Sequence, residues 1–432
     1  MSPSSPARRR AGVLLGVVLA LALIAPSWGF EVPAAWPVSP AARGEIEPGV
    51  VLARFKASAR PERAAGVLAG VGAAEEGEIR PIRVRKLRVP PGREREVAAR
   101  LSADPDVEFA EVSSILHVLW TPDDPQYPAQ WNLPKIGMPQ AWDVTRGSPS
   151  VVVAVVDTGI DVTHPDRPAN LRLGADYVSG GQVSSDPNGH GTHVAGIVAA
   201  NTNNGQGVAG VAPGVTVLAI LVCDFKGDCA TSNVASGIVE AADAGAEVVN
   251  LSLGGYADQD LATLSGAVSY AQGKGALVVA AAGNDGNSGT PVYPAALPGV
   301  LAVGATDIND SLASYSHVGS YVGVVAPGGD SNGYVLSLCP VAQGSYCLKA
   351  GTSMATPHVS GLAALILSSR PFLTANRVAD IIKSTADQSV SISLGLRIPN
   401  DQYGYGRIDA AAALAMTQSI PIFRTHFPLV LN

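Results

Sequence analysis

The sequence predicts an α/β fold: a mostly parallel sheet with helices on both faces, preceded by a smaller α+β unit. Three observations predict it. Val151 to Val156 is an unbroken apolar run, mostly β-branched, as in a strand covered on both faces. After Ser150, strand-like and helix-like segments alternate, which implies parallel strands joined by crossover helices. Residues 46–118 instead read strand, helix, strand, helix, strand, the pattern of a compact α+β domain.

In the first unit, strands are expected over Val50–Phe55, Ile82–Val89 and Val107–Val112, and helices over Pro61–Gly70 and Gly92–Leu101. Thr121 to Pro128 carries three prolines and reads as a linker or extended surface arm. In the second unit, strands are expected at Val151–Val156, Val215–Val222, Glu247–Leu253, Ala276–Ala281 and Val300–Val303. Helices are expected at Thr192–Ala200, Thr231–Ala244, Leu261–Gln272 and Met354–Ser369. In a sheet of this kind the working groups gather at the carboxyl ends of the strands. No G-x-G-x-x-G follows the first strand and no phosphate-loop motif occurs, which argues against a nucleotide enzyme.

Hydrophobic residues make up 47% of the 432 and charged residues 15%, which suits a packed globular protein and excludes wholesale disorder. The formal net charge is −7; from Trp120 onward 13 Lys/Arg stand against 23 Asp/Glu. With no basic stripe, nucleic acid is not an expected partner. Arg8-Arg9-Arg10 followed by the apolar Ala11–Ala25 reads as a signal peptide over residues 1–29. The apolar stretch is shorter than the roughly 20 residues a span requires, so secretion without a stable membrane span is expected. Four cysteines fit an exported protein. Local pairing Cys223–Cys229 and Cys339–Cys347 is the expected choice among three connectivities, with four free thiols as the alternative. Their spacing matches no zinc site.

Four short segments carry chemistry. Asp157 ends the first strong strand in Val-Val-Asp-Thr-Gly-Ile, at the rim where functional groups collect, although a strand-end cap would serve as well. His190 and His193 lie in Asn-Gly-His-Gly-Thr-His-Val-Ala-Gly. Glycines beside His190 let backbone or substrate approach its ring, and a following helix would bury His193 against the sheet. Two histidines three apart with no Glu between them do not match the zinc-helix signature. Ser353, in Gly-Thr-Ser-Met-Ala-Thr-Pro-His, opens a small-residue helix whose free N–H groups and positive dipole end favour an oxyanion. Asn284, in Ala-Ala-Gly-Asn-Asp-Gly, follows a buried strand and could donate to the same oxyanion. Taken singly, Ser353 also suits a helix cap and Asn284 a turn.

Together these blocks resemble the subtilisin-like serine peptidases, in family order, with Asn250-Leu251-Ser252-Leu253-Gly254-Gly255 and Tyr293-Pro294 as further landmarks. The likeness runs from about Pro122 to Ala413 and is nearest the thermitase-like branch. It implies a secreted serine endopeptidase acting on proteins and peptides, with Ser353 as nucleophile, His190 as general base and acid, and Asp157 orienting His190. Asn284 and the Ser353 backbone N–H would form the oxyanion hole. It further implies that Ser252-Leu253-Gly254 and Ala281-Ala282-Gly283 wall the pocket for the side chain before the scissile bond, with Val292 near its floor. An apolar floor predicts broad specificity with an apolar preference, and Asp285 at the rim would favour basic groups. Segment Asp224–Cys229 would lie along the substrate.

The resemblance also implies structural calcium, bound by Asp124, Asp166 and Asn204 through side chains and by Asn201, Gln206 and Val208 mainly through carbonyls; oxygen ligation suits this hard cation. Residues 30–119 resemble a propeptide of ferredoxin-like α+β fold, an intramolecular chaperone and inhibitor removed near Leu119–Trp120, with Leu116 and Leu119 in apolar subsites. The catalytic domain is placed at 120–416, the hydrophobic tail at 417–432 has no assigned role, and a monomer is expected. A non-catalytic scaffold would need a lost triad member, and none is lost. An esterase is disfavoured by the extended Ser-Leu-Gly-Gly wall, which suits pairing with a peptide strand.

Overall fold

The computed structural model of the chain describes residues 46–115, 120–256, 261–286 and 289–421. The expected signal peptide, the segment with Leu116 and Leu119, and most of the C-terminal tail lie outside the described residues.

The smaller unit runs β1 (Ile46–Phe55), α1 (Pro61–Val71), β2 (Ala74–Ile79), β3 (Val84–Arg88), α2 (Glu94–Ser102) and β4 (Val107–Ser114). Its sheet order is β2-β3-β1-β4 with antiparallel pairings, the ferredoxin-like arrangement. One sheet face and the apolar stripes of both helices close a core around Val51, Leu68, Leu87, Val97 and Leu101. Strand β2 was not expected from the sequence. It is an edge strand, Ala-Glu-Glu-Gly-Glu-Ile, almost wholly exposed, so it carries no apolar alternation.

The larger unit opens with two short helices, α3 (Asn132–Lys135) and α4 (Met138–Val144). Then follow β5 (Val152–Asp157), β6 (Asn170–Asp176), α5 (His190–Ala199), β7 (Thr216–Leu221), α6 (Thr231–Asp243), β8 (Val248–Leu251), α7 (Ala262–Gly273) and β9 (Leu277–Ala281). After them come β10 (Leu301–Thr306), β11 (Val322–Pro327), β12 (Val335–Leu338), β13 (Tyr346–Lys349), α8 (Thr352–Ser369), α9 (Ala375–Ser384), α10 (Ser389–Ser393) and α11 (Ala410–Gln418). Seven strands form one sheet in the order β11-β10-β9-β8-β5-β7-β6, with parallel pairings throughout.

Alternation along the strands divides the side chains between two cores. Val153, Val155, Val217 and Val279 face α5 and α8, whereas Ala154, Val156, Leu218 and Val278 face α6 and α7. A sheet buried on both faces has no polar face to show, which explains the solid apolar runs. Helix α8 is buried along most of its length and correspondingly apolar on all sides. Cysteines pair as 223–229 and 339–347, and the second bridge closes the β12–β13 hairpin.

Helices α5 and α8 each begin two residues before their expected starts, which puts His190 and Ser353 inside first turns. The boundary at 416/417 cuts α11, whose last turn continues through Thr417, a buried residue that donates to Ala413 O at 2.7 Å. Among the described residues no helix is long and apolar enough to cross a membrane.

Candidate active site

Strand order reverses around β5, with β7 on one side and β8 on the other. The carboxyl ends of β5, β8 and β9 therefore open onto a crevice, the usual ligand position in such sheets. A cleft of ≈ 410 Å³ lies there, lined by Asp157, His190, Ser252, Asn284 and Ser353 among others.

Asp157, buried at the last position of β5, accepts the Thr158 N–H at 2.8 Å on Oδ1, and the same oxygen lies 2.7 Å from His190 Nδ1. Gly191 must be glycine, since a Cβ there would stand 2.3 Å from Gly159 O. Burial alone would lower the pKa of His190. The charge and hydrogen bond of Asp157 outweigh it, and the net shift is upward.

Asp186, which sequence reasoning did not single out, orders this corner. Its carboxylate accepts Thr158 Oγ1 and Gly189 N–H on one oxygen, and Thr192 N–H and Oγ1 on the other, all at 2.7–2.8 Å. A buried carboxylate capping the first turn of α5 thus fixes where His190 starts. The available signal was an acid four residues before the histidine. His193 is buried, as expected, but its Nε2 lies 3.2 Å from the Cys347 carbonyl on the β12–β13 hairpin.

Ser353 stands at the second position of α8. Its hydroxyl donates to Ser252 O at 3.0 Å, so it rests on the β8 end. Four residues on, Pro357 lacks the N–H that would bond the Ser353 carbonyl. Ser252 Oγ fills that gap, donating to Ser353 O at 2.9 Å, and is itself held by Asn250 Nδ2 at 3.0 Å. Ser360 Oγ then donates to Asn250 Oδ1 at 2.8 Å. This hydrogen-bond chain ties the end of β8 to α8 at Ser353 and again at Ser360.

Asn284 Oδ1 accepts both the backbone N–H and the hydroxyl of Thr352, each at 2.9 Å. With the oxygen occupied, the amide Nδ2 has no hydrogen bond among the described residues, and Asn284 lines the cleft. Thr352, another residue missed from the sequence, sets that orientation. Val292 is buried between the two expected walls: a Cβ on Gly254 would meet it at 2.8 Å and one on Gly283 at 2.7 Å. Leu253 and Ala281 complete the lining. At the rim Asp285 accepts the Tyr256 hydroxyl at 2.6 Å, which orients the carboxylate and leaves its charge in place.

The expected calcium ligands converge in part. Asp124 and Asp166 are both buried, and burial raises the pKa of each, with Asp123 adding to the rise at Asp124. Burial, with Asp124 beside it, pushes the Asp166 carboxyl up to about 6. Backbone N–H groups of Asn203, Asn204 and Val208 and the Tyr346 hydroxyl serve these carboxylates, with no Lys or Arg among their hydrogen bonds. Asn204 turns Nδ2 to Asp166 at 2.8 Å and Oδ1 to the Gln206 N–H at 2.9 Å, so ligation through its oxygen requires the amide to rotate. Asn201 donates its N–H to Asp166 O, Gln206 is exposed, and Val208 is buried. Among the described residues no group of three or more His, Cys, Asp or Glu could hold a metal, so carbonyl and amide oxygens must supply most of a ligand shell. Two buried, uncompensated carboxylates fit a hard cation.

A fold with these elements around such a cleft defines a hydrolase of the serine peptidase type, and comparison with known proteins makes the assignment. Residues 148–406 match the subtilase family, and residues 34–113 match the fervidolysin N-terminal prodomain. The thermophilic serine proteinase of Bacillus sp. (strain AK1) is 42% identical over 327 residues, 76% of this chain and 79% of that protein. Thermitase of Thermoactinomyces vulgaris is 44% identical over 270 residues, 62% of this chain and 92% of thermitase. A protease structure from Pseudoalteromonas arctica superposes with a TM-score of 0.60 at 37% identity, covering 69% of this chain and all of that one. The chain belongs to the subtilase family, as a thermitase-like serine endopeptidase with an N-terminal prodomain.

Proposed function

We propose that Ser353, His190 and Asp157 form the catalytic triad of a secreted endopeptidase working through an acyl-enzyme. The observation that carries this is the 2.7 Å contact between His190 Nδ1 and Asp157 Oδ1 in the cleft that also holds Ser353. With Nδ1–H directed at Asp157, Nε2 is the basic nitrogen. The Ser353 hydroxyl swings from Ser252 O toward Nε2, gives up its proton and attacks the peptide carbonyl carbon. Asn284 Nδ2 and the Ser353 N–H receive the oxyanion, with Thr352 holding Asn284 in place. The tetrahedral intermediate expels the amine, which takes its proton from His190, and water attacks the remaining ester by the same route.

The buried Val292 floor supports broad specificity with an apolar preference, and Asp285 at the rim keeps its charge for basic groups. A peptide library incubated with the processed enzyme tests this. Cleavage is expected after varied residues, apolar ones foremost, and is abolished by an organophosphorus serine reagent. A strict Arg or Lys requirement overturns the specificity, and absence of cleavage overturns the function.

Residues from 120 through the end of α11 at Gln418 serve as the catalytic domain and 30–119 as an inhibitory propeptide cut near Leu119–Trp120. Export is supported by the basic-then-apolar start of the sequence and by the two disulfides. Calcium would be held by Asp124 and Asp166, with Asn204, Asn201, Gln206 and Val208 completing the oxygen shell, and would supply charge compensation rather than chemistry. A chelator should then lower the Tm. An ion at ~100 times its Kd contributes about 2.7 kcal/mol, which corresponds to a fall of roughly 5 °C in a domain of this size. Calorimetry with and without chelator checks it, and an unchanged Tm counts against the site.

A further inference from the structure

We infer that Lys349 is a positioning residue for His190, gripping the peptide that precedes the histidine and setting a positive charge near its ring. Lys349 ends β13, is half-buried, and donates from Nζ to Gly189 O at 3.2 Å. The N–H of the same Gly189 is held by Asp186 Oδ1 at 2.8 Å. An acid and a base thus hold the residue before His190 by its two polar groups. Gly189 sits at φ 88°, and a Cβ there would strike Gln343 Oε1 at 2.7 Å and Pro340 Cδ at 2.9 Å. The β12–β13 hairpin is therefore packed on this loop, and Gln343 adds a bond to Pro187 O at 3.2 Å.

The charges around His190 come from every neighbouring element. Asp157 on β5 and Asp186 on the preceding loop favour the imidazolium, and Lys349 on β13 opposes it. His193, one turn along α5, is kept neutral by burial, its pKa pushed down to about 3. Lys226 and Asp285 line the same cleft. A half-buried cation is screened less than a surface one, so Lys349 acts on the ring at working salt. A positive charge beside a histidine disfavours its protonated form and lowers its pKa. A general base must be neutral to accept the Ser353 proton, so Lys349 extends activity toward lower pH. It counters the upward pull of two carboxylates that the geometry of the loop cannot do without.

This inference rests on His190 being the general base, and kcat/KM against pH tests it on the processed enzyme. Lys349→Gln keeps an N–H donor for Gly189 O and removes the charge; Lys349→Met removes both; Lys349→Arg keeps both. The acid limb of the Gln and Met variants is expected to move to higher pH by roughly half a unit. One unit below the wild-type limb, kcat/KM should then fall about threefold. The high-pH plateau of Lys349→Gln should stay within about twofold of wild type, and that of Lys349→Met should drop further because Gly189 O loses its partner. Lys349→Arg should keep the wild-type limb. Limbs of both neutral variants that coincide with wild type overturn the inference, and Lys349→Gln carries the test if Lys349→Met does not mature. A wild-type enzyme with no acid limb, or with activity untouched by Ser353→Ala, overturns the triad instead.

Discussion

Ser353→Ala is expected to leave residues 30–119 attached and to lower kcat by about a millionfold, a magnitude carried over from subtilisin, a member of the same family. In the proposed mechanism the Ser353 hydroxyl oxygen forms the acyl bond; alanine removes it and leaves the rest standing. Ser252 Oγ still donates to the carbonyl of residue 353, and Asn284 is still held by Thr352. The fold should therefore persist, with one lost hydrogen bond from the side chain to Ser252 O costing about 1 kcal/mol. Intact mass and N-terminal sequencing beside wild type read the outcome. Wild type trimmed near residue 119 with the variant untrimmed is the expected pair. Trimming of both means that another protease can process the chain, and retained peptidase activity in the variant overturns the role of Ser353.

Asp157→Ala is expected to lower kcat by roughly ten-thousandfold with KM changed only a few-fold. Asp157 is buried behind His190 and meets the substrate through it, so binding should survive. Two losses combine: the ring is no longer held with Nδ1 toward β5, and the imidazolium formed during attack loses its counter-charge. The sign of the pH effect follows from the same residues. Asp157 is the main influence raising the His190 pKa against burial. Without it burial and Lys349 prevail, so the pKa falls and the acid limb of the residual activity moves to lower pH, opposite to the Lys349 variants. Asp157→Asn can keep Oδ1 on both Thr158 N–H and His190 Nδ1, so comparing the two variants separates charge from orientation. An acid limb that stays in place in Asp157→Ala removes Asp157 from the mechanism.

The strands buried on both faces were legible in the sequence because solid apolar runs such as Val151–Val156 have no other stable use in a globular protein. Edge elements were harder: β2 is almost wholly charged and exposed, and β6 shows only a brief polar–apolar alternation over residues 170–173. Helix starts were misplaced because the caps are unusual. Gly189 and Gly351 precede α5 and α8 without capping side chains, and Asp186 serves α5 from four residues before His190. At the site, the sequence pointed to the residues at strand ends and beside glycines. Residues that act through others escaped notice. Thr352 looked like part of a motif, and Lys349, distant in sequence from His190, carried no pattern at all. Asn204 was expected as an oxygen ligand, yet its nitrogen donates to Asp166, a geometry that the residue type alone does not specify.

The strand order bears on how this chain reaches its native state. Central strand β5 meets β8 only after a long excursion; the bond from Val152 to Glu247 closes 95 residues, and that between Asn132 and His358 spans 226. Such contacts demand that the chain lose most of its freedom before pairing rewards it, and high contact order means slow folding. During that interval apolar strands built to be covered on both faces stay uncovered. The unit at residues 46–114 completes its sheet within its own short span, with β2 and β3 joined by a few residues. Synthesised before the larger unit, it can close its own sheet while the long-range pairing of the larger one is still incomplete.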